Sequence, residues 1–561
     1  MKKIFSEAGE IIKNKIYLTA LLITTICSYG FAITHPSIGI DDTAMELYLE
    51  EGLNVEVGRW VLYILNKFLN LSKFSPFITE LLGAAFLMAA AILFCVLLNR
   101  IMGKRLGTAA YIIFSCLFVS NPIISFDFIY YLHNGVGMGY IFTALALLFY
   151  YEGLTREGRG KIKSLVASLL FIWTAAGCYE SFLVLYILGI LVILFFSIRD
   201  QKSKYFMISL ALGAAIVVCV MILRSAMQAL LTVVFHIYTT DSVIGLHSMQ
   251  GMLRLFGSKE GLQELFMLAK RFWVVYHVNA IVYLPITGYE LACWVFGIYA
   301  VSAAVRKKNL WYLLLFLGML FTPFLLTIIE AKVTFYRSCQ YMPFFTAVGM
   351  VLLYEAFPNG KISVGKISIG KISIGKYKKY WRFAISAVAF VFIYNQATQL
   401  NDNFYMDYRE YQLTKETLLE VAYDVERQYG NDIPVVFVGQ YDIPYEFIKD
   451  FYVSYDSWQY KLISMITDVV DVHLKEKYWQ PQGYCFIGEA NLPMIRWAFD
   501  AFDGTNREMI RFLEMHGHSF TTLTDAEEYT EIRNTFGSLN MPRYPQEGSI
   551  VMQDGYVVVN F

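Results

Sequence analysis

The sequence predicts a polytopic α-helical membrane protein of about eleven transmembrane helices, followed by a soluble α/β domain. Three observations predict it. The 561 residues are 57% hydrophobic and only 16% charged, with a mean hydropathy of +0.48, whereas soluble domains hold about 45–50% apolar and about 25% charged residues. Several uninterrupted apolar runs reach the roughly 20 residues that cross a bilayer. The third observation is hidden in a formal net charge of zero. Residues 1–400 carry 34 Lys+Arg against 20 Asp+Glu, and residues 401–561 carry 12 against 26. A soluble enzyme, a disordered chain and a disulfide scaffold are excluded, and two different bodies share one chain.

The apolar runs place spans at 16–34, 79–98, 108–126, 136–151, 164–179, 181–198, 205–223, 281–303, 310–329, 340–357 and 381–397. The first run is too long for a cleaved signal segment and reads as a retained helix. Cytoplasmic loops are enriched in Lys and Arg. The basic groups lie before the first span (Lys2, Lys3, Lys13, Lys15) and at Arg100–Arg105, Arg156–Lys163, Arg199–Lys204, Arg306–Lys308 and Lys361–Arg382. Every cluster falls in an alternate loop. The expectation is therefore an odd number of spans, a cytoplasmic N-terminus and an extracytoplasmic C-terminus in a cell membrane. The last basic loop contains a five-residue repeat, GKISV-GKISI-GKISI-GK. Five matches neither helical nor strand periodicity. It reads as a tandemly expanded loop, with attraction to anionic headgroups as the alternative.

Three outer segments are too long for simple turns or carry polar groups. Residues 35–78 hold an acidic stretch and then the apolar run Trp60–Leu71, too short to span and suited to a helix lying in the interface. Residues 224–280 contain amphipathic pieces, among them Leu262–Val275, and 330–339 form a polar link. From about residue 400 the pattern changes to that of a water-soluble domain. Leu413–Gln428 has helical spacing, as do Lys461–His473 and Asn506–Met515, and PVVFVG at 434–439 reads as a buried strand. Two apolar runs flanking Asp554-Gly555 read as a hairpin. The domains are accordingly 1–399 and 400–561.

Chemistry concentrates in the outer segments. Asp41-Asp42 opens the first outer loop. Adjacent carboxylates repel, which separates their protonation states, and either is suited to act as general base on a hydroxyl. A solvated acidic loop is the plainer reading of the same pair. Together with Glu46 they also form an oxygen set that a divalent cation would fit; no His or Cys spacing of a metal site is present. Gly58-Arg59-Trp60 places a guanidinium where the chain re-enters the interface, and Arg suits bidentate phosphate recognition.

The order of these features, a short basic N-terminus, one span, Asp-Asp, then Gly-Arg opening an interfacial helix, resembles the Gtr-type bacterial membrane glucosyltransferases. These belong to the GT-C class of polytopic transferases that use polyprenyl-phosphate sugars. The turn Gly177-Cys178-Tyr179-Glu180-Ser181 and the outer Tyr336-Arg337-Ser338 extend the resemblance over roughly residues 15–400. It implies a GT-C-like membrane domain, a polyprenyl-phosphate-linked sugar donor, a surface glycan acceptor and inversion at the anomeric carbon. The implied site faces the outer leaflet. Arg337, Lys332 and Arg59 are first candidates for the donor phosphate, ahead of Arg224 and Arg271, because the leaving phosphate lies in the headgroup plane and needs cations. Glu180, His133 and Asn134 are candidates for the sugar, with Asp127 nearby, and Asp41 or Asp42 for the base.

The expected function is transfer of a sugar, glucose by resemblance, from the lipid phosphate to a cell-surface polysaccharide. The partners are then the donor, the glycan and membrane lipids, with no nucleic acid. Two other classes remain open at this point: a transporter or flippase of lipid-linked sugar, and a membrane anchor that displays the acidic C-terminal domain. The resemblance leaves that domain without a role.

Overall fold

A computed structural model describes residues 1–38, 52–69, 76–124, 133–197, 203–237, 255–273, 288–330, 338–355, 363–364, 367–368, 374–439, 505–521, 523–537 and 539–561. The chain begins with an amphipathic helix, α1 (Lys2–Ile12), which buries Ile4, Ala8 and Ile11 along one stripe. The following helices are α2 (Lys15–Thr34), the short α3 (Leu53–Glu56), α4 (Trp60–Leu69), α5 (Pro76–Ile101), α6 (Thr108–Val119), α7 (His133–Thr155), α8 (Gly158–Cys178) and α9 (Phe182–Ser197). After these come α10 (Ser203–Phe235), α11 (Lys259–Trp273), α12 (Tyr289–Lys307), α13 (Trp311–Phe321), α14 (Phe324–Glu330), α15 (Tyr341–Glu355) and α16 (Ile374–Tyr429).

In their described residues the eleven apolar runs are largely helical. Among the described residues six helices are long and apolar enough to cross a membrane: those within α2, α5, α7, α8, α10 and α16. Four more apolar helices are shorter. The run at 310–329 is two helices, α13 and α14, parted at Thr322-Pro323, where proline removes a helical donor. Helix α7 packs against both α5 and α8 at the centre, and 78% of its apolar window is buried, against 28% for α2 and α10 at the periphery. The outward sides carry apolar residues, such as Ile16, Ile23 and Ile26 on α2, Ile298 and Val305 on α12, and Phe383 and Phe390 on α16. A lipid-facing surface has this composition, while the surface of a soluble monomer rarely holds such patches. Polar side chains inside the bundle join helices: Tyr17 to Ser115 (2.9 Å), Ser120 to Gln396 (2.8 Å) and Ser168 to Tyr186 (2.8 Å).

Ion pairs draw three of the basic clusters to one end of the bundle. Arg100 bonds both Glu7 and Glu152 at 2.8 Å, and Glu152 also pairs with Arg156 at 2.8 Å. Lys104 and Arg382 share Glu355. Helix α8 starts beside this end and finishes at Cys178. Its 21 residues carry the chain about 31 Å, one hydrocarbon thickness away.

The apolar run at 381–397 and the polar helix expected at 413–428 are a single helix, α16, of 56 residues. At 1.5 Å per residue it is about 84 Å long. The boundary expected at 399/400 therefore falls inside a continuous helix. Beyond it lie β3 (Val435–Val438), α17 (Arg507–Met515), α18 (Ala526–Gly537), β4 (Ile550–Gln553) and β5 (Tyr556–Asn560). Strand β5 is central, parallel to β3 and antiparallel to β4. The β4–β5 turn has positive φ at both Asp554 and Gly555, the geometry of a tight hairpin. Leu418, Val421 and Val425 of α16 share one core with Phe437, Phe512 and Val557. The expected helix at 461–473 lies outside the described residues. In the basic repeat, β1 (Ser363–Val364) pairs antiparallel with β2 (Ile367–Ser368).

A helix interior tolerates proline poorly, at a cost of about 3 kcal/mol or more. Thr398, exposed and near the middle of α16, tests the continuity. Thr398→Pro is expected to lower thermal stability by several degrees and to open a protease site near residue 400, while Thr398→Ala leaves both unchanged.

Candidate functional site

The polar site forms where α3 and α4 re-enter the bundle beside the end of α8. Arg59 follows Gly58, whose φ of +76° is open to glycine at no steric cost. A Cβ there would also stand 2.4 Å from the Arg224 guanidinium. Arg224 and Gln228 reach from α10 to the carbonyls that α3 leaves without helical partners. Arg224 Nε donates to Gly58 O at 3.2 Å and Nη2 donates to Val57 O, while Gln228 Nε2 donates to Glu56 O at 2.7 Å. Basic and amide side chains commonly satisfy helix C-terminal carbonyls in this way. Helix α10 continues three turns beyond the apolar run at 205–223, so Arg224 lies within the helix and is not at its end.

The Glu180 carboxylate lies between two guanidiniums. Its Oε1 is 3.5 Å from Arg59 Nη2 and its Oε2 is 3.9 Å from Arg224 Nη2. Arg59 also lies over the Tyr179 ring, 4.2 Å from its centroid, a cation–π contact that strengthens with desolvation. All three charged side chains are mostly buried. Two guanidiniums thus face one carboxylate. Ionisable groups at such depth mark functional positions by default, because desolvating them is costly.

Trp60 is seated by a glycine. A Cβ on Gly177 would fall 2.3 Å from Trp60 Nε1, so only glycine lets α8 pass this close to the indole. Trp173, one turn earlier on α8, lies tilted against Trp60 with centroids 4.7 Å apart. Leu62 fits against Gly135 near the start of α7 in the same manner. The turn Tyr179–Ser181 is held from its other side, where the Ser181 hydroxyl donates to Gln340 Oε1, both residues being fully buried.

Of the residues expected from sequence, Arg59 and Glu180 are thus brought together, and Arg224 joins them. Asp41, Asp42, Glu46, Asp127, Lys332 and Arg337 lie outside the described residues. His133 and Asn134 open α7, and Arg271 lies on α11; their side chains are likewise outside the description. Among the described residues no three His, Cys, Asp or Glu side chains converge as a metal site would require. Gly58, Gly177, Trp173 and Gln228 were not singled out by sequence for their packing. The signal was present in Gly-Arg-Trp and Gly-Cys-Tyr-Glu, where the smallest residue adjoins charge and aromatic bulk.

The family described as Glucosyl transferase GtrII matches residues 30–354, more than half of the chain. The chain belongs to this family. It is a glucosyltransferase, and its long apolar helices make it a membrane-associated one. A sugar donor and a glycan acceptor follow from that membership. Neither a curated protein nor a solved structure matches the chain. The matched region contains the whole Arg59–Glu180–Arg224 cluster and stops short of α16 and the C-terminal sheet.

Overpacking a filled site costs about 1–3 kcal/mol. Gly177→Ala is accordingly expected to lower thermal stability by that amount and to shift tryptophan fluorescence through Trp60. A variant with wild-type emission and stability would show that the indole does not depend on the glycine.

Proposed function

We propose that the protein moves glucose from a polyprenyl-phosphate donor to a cell-surface polysaccharide on the outer face of the membrane. Asp41 or Asp42 acts as the general base. The observation that carries the reading is the buried Arg59–Glu180–Arg224 cluster, in which two guanidiniums face one carboxylate, about one bilayer thickness from the basic end of the bundle. If the basic end is cytoplasmic, as loop charge argues, the cluster stands at the outer headgroup plane, where a lipid phosphate lies.

In this reading Arg59 and Arg224 receive the phosphate charge, and Glu180 holds their guanidiniums apart and aimed. Glu180 keeps its expected role at the sugar, and His133 and Asn134, which open α7, are proposed for the same sugar. Gln340 bonds Ser181 and lies three residues after Arg337, so the covalent chain keeps the Arg337 Cα within about 11 Å of Gln340. That supports Arg337 as a further phosphate ligand, with Lys332 earlier in the same segment. The acceptor hydroxyl oxygen bonds to the anomeric carbon as the bond to the lipid phosphate breaks. Its proton passes to Asp41 or Asp42, and the leaving phosphate takes the electron pair and its negative charge to the guanidiniums. Attack opposite the leaving group inverts the anomeric centre. No step here needs a metal; a divalent cation held by Asp41, Asp42 and Glu46 would add to the charge facing the phosphate.

The test uses purified protein, a synthetic polyprenyl-phosphate glucose and acceptor glycan. Removal of a general base costs about 10²–10⁴-fold in rate. One of Asp41→Asn and Asp42→Asn is expected to show such a loss, and transfer undiminished in both would overturn the base. Arg59→Lys is expected to raise the donor KM at least tenfold, because Lys cannot reproduce the planar fork. Glu180→Gln is expected to lower transfer with little change in acceptor KM.

A further inference from the structure

Helix α1 is too short to span a bilayer. Its 11 residues run about 17 Å, against roughly 30 Å of hydrocarbon. Nor does it continue into α2. Between the two, Asn14 has an extended backbone and caps α2, its Oδ1 accepting from Tyr17 N at 3.2 Å while Nδ2 donates to Thr108 Oγ1 at 2.7 Å. At about 3.6 residues per turn the side chains of α1 fall into three stripes. Ile4, Ala8 and Ile11 form the first and are buried in the main apolar core, with Glu7 at its edge bonded to Arg100 at 2.8 Å. Met1, Phe5 and Ile12 form the second, roughly a quarter-turn away, and are 50%, 57% and 41% exposed. Lys2, Ser6, Glu10 and Lys13 form the third, about a third of a turn further round, and all four are exposed.

A helix gripped along one stripe, with an apolar flank on one side and a lysine flank on the other, suits a membrane surface: protein beside it, acyl chains beneath, headgroups and water above. The neighbouring helix ends put a headgroup level at the same place. Helix α8 passes from exposed Arg159 and Lys163 to exposed Val166 and Leu170, α10 from Lys204 to Met207 and Ile208, and α12 from Val305 to Arg306. These ends are tied to the Arg100 that holds Glu7. The Tyr151 hydroxyl donates to Arg100 O at 3.0 Å, Tyr150 donates to Ser209 O at 2.6 Å, and Trp311 Nε1 donates to Ser203 Oγ at 3.0 Å. A protein partner seated on α1 would give no reason for the same change from cation to apolar side chain on three further helices. A bilayer does. We propose that α1 docks on an anionic phospholipid surface: Met1, Phe5 and Ile12 sit among the acyl chains, and Lys2, Lys3 and Lys15 hold the phosphates of anionic headgroups. Each basic side chain near such a surface raises affinity about fivefold. This docking does not depend on the sugar donor, the acceptor or the general base.

The experiment uses the full-length protein in vesicles of phosphatidylcholine with about one tenth phosphatidylglycerol. The photoreactive amino acid p-benzoylphenylalanine replaces Phe5, Ile12 or, on the lysine flank, Ser6, and the adducts formed on illumination are identified by mass spectrometry. Positions 5 and 12 are expected to capture phospholipid, with about tenfold less capture at position 6, because only the apolar flank enters the acyl region. Phosphatidylglycerol is expected among the adducts about fivefold above its share of the lipid. The double variant Lys2→Gln with Lys3→Gln is expected to lose most of that excess while still capturing phosphatidylcholine. Equal capture of lipid at positions 5 and 6 would overturn the orientation of α1. Adducts of positions 5 and 12 with a second protein chain in place of lipid would overturn the bilayer as the partner. An adduct pool with no excess of phosphatidylglycerol would overturn the headgroup role of the lysines. Should replacement of Ile12 disturb folding, position 5 decides, since its ring is replaced by a larger one at the more exposed site.

Discussion

Glu180 ties three separate parts of the chain to one point. The carboxylate sits on the turn between α8 and α9 and faces one guanidinium from the re-entering chain and another from α10. Charges at this depth are stable only in company, since the penalty of desolvating each ion is offset by its partners. The position of Arg59 therefore depends on Glu180, and the position of α3 depends on Arg224 and Gln228, which satisfy its terminal carbonyls. Helix α4 follows from both. Gly58 and Gly177 are the steric counterpart of this electrostatic constraint, because any larger side chain would occupy the space of Arg224 or of Trp60. The same contacts that hold a short helix against the bundle also bring two guanidiniums together.

The charge asymmetry of the sequence has a corresponding asymmetry in space. At one end Arg100, Arg156, Lys104 and Arg382 are neutralised in part by Glu152, Glu355 and Glu7. Elsewhere, the stretch that follows α2 meets the acidic C-terminal body through Ser37 and Ile38. Helix α16 joins the two, starting beside Glu355 and ending in the core of the three-stranded sheet. A rigid rod through both regions gives the C-terminal body a fixed register against α2, which a flexible linker would not.

Much of the bundle was legible because burial in lipid leaves a long apolar run, and the described residues of these runs are largely helical. The run from Trp60 was legible as a helix for a related reason: its apolar residues continue over Trp60–Leu69. Less was legible where hydropathy and backbone conformation part company. Near residue 400 the side chains change from lipid-facing to water-facing while the helix continues, so a compositional boundary was read where the backbone has none.

By itself the sequence determined the membrane class, the partition of charge and the individual residues Arg59, Glu180 and Arg224 as charged groups among apolar runs. These are local properties, since hydropathy and charge are written one residue at a time. Only the tertiary structure decided that the three meet, with 121 positions separating Arg59 from Glu180, and that Ser37 meets Asp407 across 370. Pairings at such distances depend on how α7, α8, α10 and α16 pack, and no local pattern encodes the sum of those contacts. Only the fold, too, joins the C-terminal body to the loop that precedes the site.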